Sequence, residues 1–370
     1  TCDTGLWRAV AVDIGIAGLL IPEPLGGAGA SYRELAAAAE QFGAAVAPIP
    51  YLGSAAVATA VLLRAAMDAV SPGGTTPGPP GAAAVSPGRA ASANPPPASP
   101  AADLLRRLAD GAVTAVLAVS AATRPGGPFP DQVRVAGSDA AGLVTLRGTV
   151  PAVPDALPAD VLLVPAEGVP NGLYLVEAGA PGLHRTPMVS LDMTRQLCDV
   201  SLDDAPARQV AVGAAAEAAV GAGLTAGAAV IAAEQLGVAQ RCLDMTVAYV
   251  RERRQFARPV GSFQALKHRL ADLWTTITLA RAASRYAAAC LAAGDPDTPV
   301  AVALAKSSCC EAAVTAAQEC VQLHGGIGFT WEHPAHLYLK RAKAASVAFG
   351  TPGAHRDALA ALVNLPAPGA

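Results

Sequence analysis

The chain has 370 residues, which is enough for two or three domains around a sizeable buried core. Its net charge is −3, its pI is about 6.1 and it has no basic stripe, so no nucleic-acid partner is expected. Only 15% of the residues are charged, below the roughly 25% of an ordinary soluble domain, which predicts that part of the surface is covered in an oligomer.

The first predicted domain covers residues 1–111 and is helical. Ser31 and Glu34 have the S-x-x-E spacing of a capping box, which predicts the start of a helix. Residues 71–100 contain nine prolines among Gly, Ala and Ser, a composition that predicts a disordered or extended insert. The segment DLLRRLADG then returns to helix and ends at Gly111.

The second predicted domain, residues 112–212, has the hydrophobic pattern of strands. Gly, Pro and Asp separate its short β-branched runs, which are VTAVLAVSA, QVRVAG, LVTLRGTV, DVLLVPA, GLYLVEA and QLCDVSLDDA. Several short strands spaced in this way predict a small β-barrel or sandwich.

The third predicted domain, residues 213–370, is helical. One helix face carries Leu236, Ala239, Leu243, Val247 and Val250, and a second carries Leu266, Leu270, Leu273 and Ile277. Long helices with short connections predict a four-helix bundle. The expected fold class is therefore α+β multidomain: an N-terminal helical domain, a middle β domain and a C-terminal bundle.

The cysteines and the apolar helices bear on the compartment. The seven cysteines are odd in number and have no CxxC spacing, so reduced, mostly buried thiols in a cytoplasmic protein are expected. The longest uncharged helical stretch lies between Glu217 and Glu234 and is shorter than the ~20 apolar residues of a membrane span, so no span is expected.

Arginines crowd the end of the first bundle helix, in the stretch YVRERRQFARPVG. Such residues complement the dipole at a helix C-terminus, and this is one interpretation. The other is an anion site, because a guanidinium grips phosphate through two parallel hydrogen bonds and Phe256 can flank a ring.

A second motif, QLHGGIGFTWEHP, ends a later helix. One helix cap needs one glycine, yet Gly325 and Gly326 are adjacent, which indicates a backbone that something else approaches closely. Gln322 offers an amide beside them.

These two stretches, the domain order and LIPEPLGGAGASYRELAAAAEQFG in the first domain resemble the acyl-CoA dehydrogenase family. The resemblance implies a tetramer with FAD at a dimer interface, desaturation of an acyl-CoA thioester, and transfer of electrons to an electron-transfer flavoprotein. It also implies which residues contact FAD, and several of these contact the FAD that is bound to a neighbouring subunit. The residues are Arg253, Gln255, Phe256, Gln322, Gly325, Gly326 and Thr351.

Two segments depart from the family pattern. The family holds the flavin ring with a segment resembling T-E-P-x-x-G-S-D and a later Trp-x-Ser/Thr. The corresponding regions here are VSAATRPGG at 119–127 and LRGTVPAV at 146–153, and neither keeps the pattern.

The catalytic carboxylate is also missing. In AFGTP, Gly350 and Thr351 match the family's Tyr-Glu-Gly-Thr, but Phe349 stands where Glu is usual and cannot take a proton. The family's other base position corresponds to about Gly227, which is not acidic either. No catalytic residue is evident, and Glu234 is the candidate substitute, with a structural role as its alternative.

Other acidic and imidazole side chains are weaker candidates. Glu332 and Asp357 are remote possibilities for a base. His333 and His336 have a spacing that suits a metal, but without a third ligand no metal site is expected.

The leading hypothesis is a partner of a homologous catalytic chain, resembling the non-catalytic subunit of heteromeric actinobacterial acyl-CoA dehydrogenases, with a role in fatty acid or steroid side-chain metabolism. The first alternative is a self-sufficient acyl-CoA dehydrogenase with a substitute base. The second is a non-redox protein that binds acyl-CoA or a partner on the same fold, because a fold does not fix a function.

Overall fold

The computed structural model describes residues 2–70, 99–138 and 143–366. The predicted order of helices, then strands, then helices is confirmed. The predicted insert at 71–100 lies outside the described residues, apart from its last two positions.

The N-terminal part is helical, and its capping box is present as predicted. The Ser31 backbone N–H donates to Glu34 Oε2 at 2.9 Å, and Ser31 Oγ accepts from the backbone N–H of Arg33 at 3.2 Å. The helices are α1 (Thr4–Arg8), a π-helical turn (Ala9–Asp13), short 3₁₀ turns (Ile16–Gly18 and Glu23–Leu25), α2 (Tyr32–Ala45), a π-helix (Tyr51–Ala58), α3 (Thr59–Val70) and α4 (Pro100–Ala109).

The middle part is one seven-stranded sheet in the described residues, with the order β1-β4-β5-β7-β3-β2 and β6 beside β7. The strands are β1 (Ala115–Leu117), β2 (Val133–Ser138), β3 (Val144–Pro154), β4 (Val161–Ala166), β5 (Gly172–Glu177), β6 (Leu183–Pro187) and β7 (Leu197–Val212). β1 runs parallel to β4, and the other pairs are antiparallel.

Two features of this sheet differ from the sequence expectation. The strand β6 was not predicted, because its side chains are largely exposed and show no apolar alternation. The strand β7 is longer than expected, because its second half, which lacks a continuous apolar run, gains hydrogen bonds to β5.

The C-terminal part contains the predicted bundle helices. They are α5 (Ala214–Glu252), α6 (Gln264–Ala293), α7 (Thr298–His324) and α8 (Ala335–Val347), followed by α9 (Pro352–Leu362). A short hairpin of β8 (Arg254–Gln255) and β9 (Arg258–Pro259) and a 3₁₀ turn (Val260–Ser262) link α5 to α6. A second 3₁₀ turn (Gly325–Phe329) follows α7. By length and composition alone, α5 and Thr298–Phe329 could cross a membrane, but 61% and 67% of their most apolar stretches are buried inside the protein, as expected for core helices.

The helices α2 and α5 touch through their backbones at two glycines. A Cβ atom on Gly43 would lie 2.0 Å from the carbonyl oxygen of Glu234, and one on Gly237 would lie 1.8 Å from that of Glu40. Close packing leaves no room for either methyl group. The Glu40 carboxylate also pairs with Arg281 of α6 at 2.7 Å, so this crossing joins the N-terminal part to the bundle.

Replacing Gly237 by alanine should lower the free energy of unfolding by about 3 kcal/mol, because the added methyl group forces two packed backbones apart. Urea denaturation of the full chain measures this. Gly221, also on α5, is the matched control: a Cβ atom there would meet nothing within 4 Å. Gly221→Ala should stabilise the helix by about 0.5–1 kcal/mol. Equal midpoints for the two variants would refute the close crossing.

Candidate functional site

The two predicted nucleotide-binding motifs meet at one end of the bundle. The ring of Tyr249, one turn before the end of α5, stacks on His324 at the end of α7 with a centroid distance of 4.5 Å. This contact brings together the residues that we name the arginine–glycine surface, namely Arg253, Gln255, Phe256, Gln322, Gly325 and Gly326. All six are exposed.

The arginine side of this surface is a strained hairpin. Phe256 and Ala257 form its tip with φ angles of 54° and 60°, a left-handed conformation that favours glycine or asparagine. The side chain of Phe256 is 86% exposed. The Arg253 guanidinium makes no ion pair with any described residue. An exposed aromatic ring on a strained turn, beside an unpaired cation, is typical of a binding site.

The glycine side of the surface is open. A Cβ atom on Gly325 or Gly326 would meet no other atom of this chain within 4 Å. The predicted close approach is therefore not to this chain's own backbone, although the φ of +63° at Gly325 independently favours glycine. Residues without a side chain at an open surface leave room for an incoming molecule.

Phe349 and Gly227, the two positions at which a base was sought in the sequence, lie against each other at the first half of α5. A Cβ atom on Gly227 would lie 2.6 Å from the ring of Phe349, so one phenyl ring covers both positions. Phe349 is only 3% exposed. From Gly227 to Arg253 is 26 residues of helix, which is about 39 Å. Gly227 and the arginine–glycine surface therefore lie far apart.

Hydrogen bonds hold the turn around Phe349. Its backbone N–H donates to the carbonyl of Ala121 at 2.7 Å, and its carbonyl accepts from His355 Nε2 at 2.7 Å. Thr351, predicted to bind cofactor, caps α9 by accepting from Ala354 N–H at 3.2 Å.

A buried lysine beneath this turn was missed by the sequence analysis. Lys306 is 0% exposed, and its Nζ donates to the carbonyls of Gly350 at 3.0 Å and Ala345 at 3.3 Å. Carbonyls at the end of α8 attract a cation through the helix dipole. The one available signal was a lysine inside the apolar stretch VALAKSSCC.

A cavity of about 540 Å³ lies between the β part and the bundle, beside Phe349. Ala121 and Pro154 line it, and both come from or directly follow the segments that depart from the family's flavin-ring motifs. The Ala121 N–H is already bonded to the carbonyl of Ala152 at 3.0 Å, its carbonyl is taken by Phe349, and proline has no N–H. Ala121 and Pro154 therefore present no free backbone N–H to this cavity.

Glu234, the candidate substitute base, lies in a buried ion network. Its carboxylate contacts Arg195 at 2.5 Å and Arg341 at 3.3 Å. Burial by itself would raise the pKa of Glu234, but the two guanidinium groups outweigh burial and hold the pKa below its usual value. A carboxylate stabilised as an anion in this way is a poor proton acceptor, so the structural role is the better supported one.

The network joins all three parts of the chain. Arg341 pairs with Asp192 of the β part at 3.0 Å and donates to the carbonyl of Ala47 at 3.1 Å. Burial raises the pKa of Asp155, which follows β3 and accepts from the N–H of Gly53 at 3.1 Å. The relative placement of the three parts therefore depends on these contacts.

The imidazoles and thiols of the described residues make other contacts. Within the described ranges, no group of three or more His, Cys, Asp or Glu side chains is arranged to hold a metal ion. The ring of His333 lies 4.2 Å from that of His324, and His336 contacts Trp331 at 4.8 Å. The seven cysteines are free, and all but Cys2 are buried, as predicted.

Comparison with known proteins identifies the family. The model of the acyl-CoA dehydrogenase N-terminal domain matches residues 1–70, and that of the C-terminal domain matches residues 217–363. The acyl-CoA dehydrogenase IpdE2 of Mycobacterium tuberculosis is 33% identical over 340 residues, covering 92% of this chain and 80% of the relative. The chain belongs to the acyl-CoA dehydrogenase family.

Solved structures agree with this assignment. The Tcur3481-Tcur3483 steroid ACAD superimposes with a TM-score of 0.75 at 31% identity, covering 98% of this chain and 89% of the other. The ChsE4-ChsE5 complex from Mycobacterium tuberculosis gives 0.78 at 29% identity over 99% and 90%. A glutaryl-CoA dehydrogenase from Mycobacterium smegmatis in complex with FADH2 gives 0.78 at 18% identity over 99% and 88%, so this protein, which binds the flavin, shares the fold.

Glu234→Gln should lower the free energy of unfolding by about 3 kcal/mol at neutral pH, because two buried arginines lose their charged partner. Since the folded-state pKa of Glu234 is lowered, its contribution is complete above the ordinary value of 4.5 and is lost as the pH falls below it. Urea titrations at several pH values should therefore show the gap between wild type and variant narrowing in acid.

The matched control is Glu311→Gln, which breaks an exposed ion pair with Arg356. Its effect should stay within about 1 kcal/mol at any pH. A Glu234→Gln gap that is small, or that widens in acid, would contradict the network.

Proposed function

We propose that this chain is a subunit of a heteromeric acyl-CoA dehydrogenase, where it completes the FAD site of a homologous catalytic chain. One observation carries the proposal: a single chain combines an exposed, unpaired arginine–glycine surface with a buried base position that has no carboxylate. A binding function is thus retained where the residues for proton transfer are absent.

The arginine–glycine surface has the groups that a flavin dinucleotide needs. Arg253 is free to pair with a pyrophosphate, since it has no carboxylate partner among the described residues. Gly325 and Gly326 leave space beside it, and the exposed ring of Phe256 can lie against an aromatic face. When bound, FAD supplies the acceptor for the hydride that leaves the acyl chain; this chain's residues bind and orient it.

The catalytic base and the flavin-ring pocket are assigned to the partner. In this chain Phe349 covers the two family base positions, and Ala121 spends its backbone groups on Phe349 and Ala152. Removal of the α-proton of a thioester needs a positioned base, which the partner would provide. With the roles divided in this way, each pair of unlike chains forms one complete FAD site.

The substrate class that we propose is supported by one of the similar structures. A steroid ACAD is among the structures that share this fold at about 30% identity, so we infer an acyl-CoA with a bulky polycyclic body. The electrons would pass to an electron-transfer flavoprotein, and the complex would be cytoplasmic. Trials of steroid side-chain thioesters against straight-chain thioesters of equal carbon number test this class.

Flavin content tests the division of labour. The chain should be purified alone and together with an acyl-CoA dehydrogenase-like chain encoded beside it. We expect flavin absorbance in the mixed complex only, at one flavin per pair of unlike chains. A full flavin in the isolated chain would mean that the cavity beside Phe349 holds the ring, and the proposal would fail.

The Arg253→Gln variant tests how much this chain contributes to flavin binding in the mixed complex. The dissociation constant of flavin from the mixed complex should rise about tenfold or more, because a charge-assisted hydrogen bond contributes roughly 1.5–3 kcal/mol. Arg251→Gln removes an equal charge from the same helix end and should leave flavin affinity within about twofold. Equal losses in the two variants would indicate a general charge effect instead.

Turnover of the Glu234→Gln complex tests the substitute base. Activity per bound flavin should remain near the wild-type value, because Glu234 is held as a structural anion. A loss of about 10²-fold or more without loss of flavin would identify Glu234 as a base and favour the self-sufficient enzyme.

A further inference from the structure

A second cavity, of about 500 Å³, lies on the other side of the Phe349 turn. Its walls come from the segment after β1, from α5, from the first turns of α7 and from one side of α9 along most of its length. Most of the lining is apolar and small, and the polar side chains are Arg124, Thr225 and His355. Among the residues that the structure describes, none that lines this cavity carries a carboxylate. Its volume is in the range of cavities that hold small organic ligands.

His355 presents one free nitrogen in this cavity. Only 5% of the residue is exposed, and its Nε2 bonds to the Phe349 carbonyl at 2.7 Å. A carbonyl only accepts, so Nε2 carries a proton. The other nitrogen, Nδ1, makes no hydrogen bond to any described residue. Since His355 lines the cavity, the lone pair of Nδ1 is available to a ligand there.

The charge around His355 is positive. Arg124 is exposed and makes no ion pair within the described ranges. Burial lowers the pKa of His355, and Lys306 from α7 and Arg124 from the opposite wall lower it further, while the Phe349 carbonyl acts in the other direction. An anion in the cavity would reverse this balance, since it attracts Arg124 and favours the imidazolium form.

We propose that this cavity binds an organic carboxylate with an apolar body, paired with Arg124 and hydrogen-bonded to Nδ1 of His355. The guanidinium fork matches the two oxygens of a carboxylate. The proline, alanine, valine and leucine side chains of the other walls contact the apolar body. Three polar side chains are too few for the several oxygens of a phosphate ester, which leaves a carboxylate as the better match.

Isothermal titration of the full chain with octanoate and with octan-1-ol tests the site without any flavin. Octanoate should bind at least about tenfold more tightly than the alcohol, because only the carboxylate pairs with Arg124. Binding in buffers of different ionisation heat should show uptake of up to one proton, taken by Nδ1 of His355.

Two variants locate the carboxylate. Arg124→Gln changes an exposed residue and should weaken octanoate binding about tenfold while leaving octanol binding unchanged. His355→Gln keeps an amide donor for the Phe349 carbonyl but lacks the second nitrogen, and should abolish proton uptake. Arg356→Gln is the charge-matched control on α9, because Arg356 pairs with Glu311 outside the cavity.

Several results would overturn the proposal. They are equal affinity for octanoate and octanol, no saturable binding at millimolar octanoate, and equal weakening by Arg124→Gln and Arg356→Gln. None of them bears on flavin content, so this inference and the proposed function fail independently.

Discussion

The buried ion network around Glu234 is the constraint on which the arrangement of this protein depends. Glu234 lies on α5, Arg341 on α8, and Arg195 and Asp192 in the β part, so the bundle and the sheet meet through charges rather than through apolar packing alone. Buried charges are costly when unpaired, and each member here is stable only while the others stay in place. The N-terminal part joins the same network through the carbonyl of Ala47.

The ion network also affects the packing of the turn at Phe349, which lies between the two cavities. Because the β part is held against the bundle, the turn at Phe349 is pressed between the segment after β1 and α5, with Gly227 providing the room for its ring. Lys306 fixes the same turn from below. A side chain at position 227 cannot be accommodated unless the Phe349 ring moves, whereas the arginine–glycine surface, about 39 Å away along α5, lies outside this packing.

For that reason, membership of the family does not by itself decide the function of this chain. The fold is preserved by the core and by the network, neither of which needs a base or a flavin ring. The residues predicted to bind a nucleotide sit at the exposed ends of α5 and α7 and in the turns that follow, and exposed turns held by a rigid scaffold often carry binding functions. A chain can therefore keep the architecture and one binding surface after the catalytic group is gone, and its role is then decided by what it assembles with.

The sequence by itself determined the features that are local along the chain. The capping box at Ser31, the apolar helix faces and most strands depend on spacings of a few residues, so the pattern suffices to predict them. Only the tertiary structure decided which distant residues meet. It shows that Phe349 covers Gly227, that Glu234 forms ion pairs with arginines 39 and 107 positions away in the chain, and that His355 lines a cavity. Such contacts arise when the domains pack, and a periodic pattern contains no information about partners so far apart in the chain.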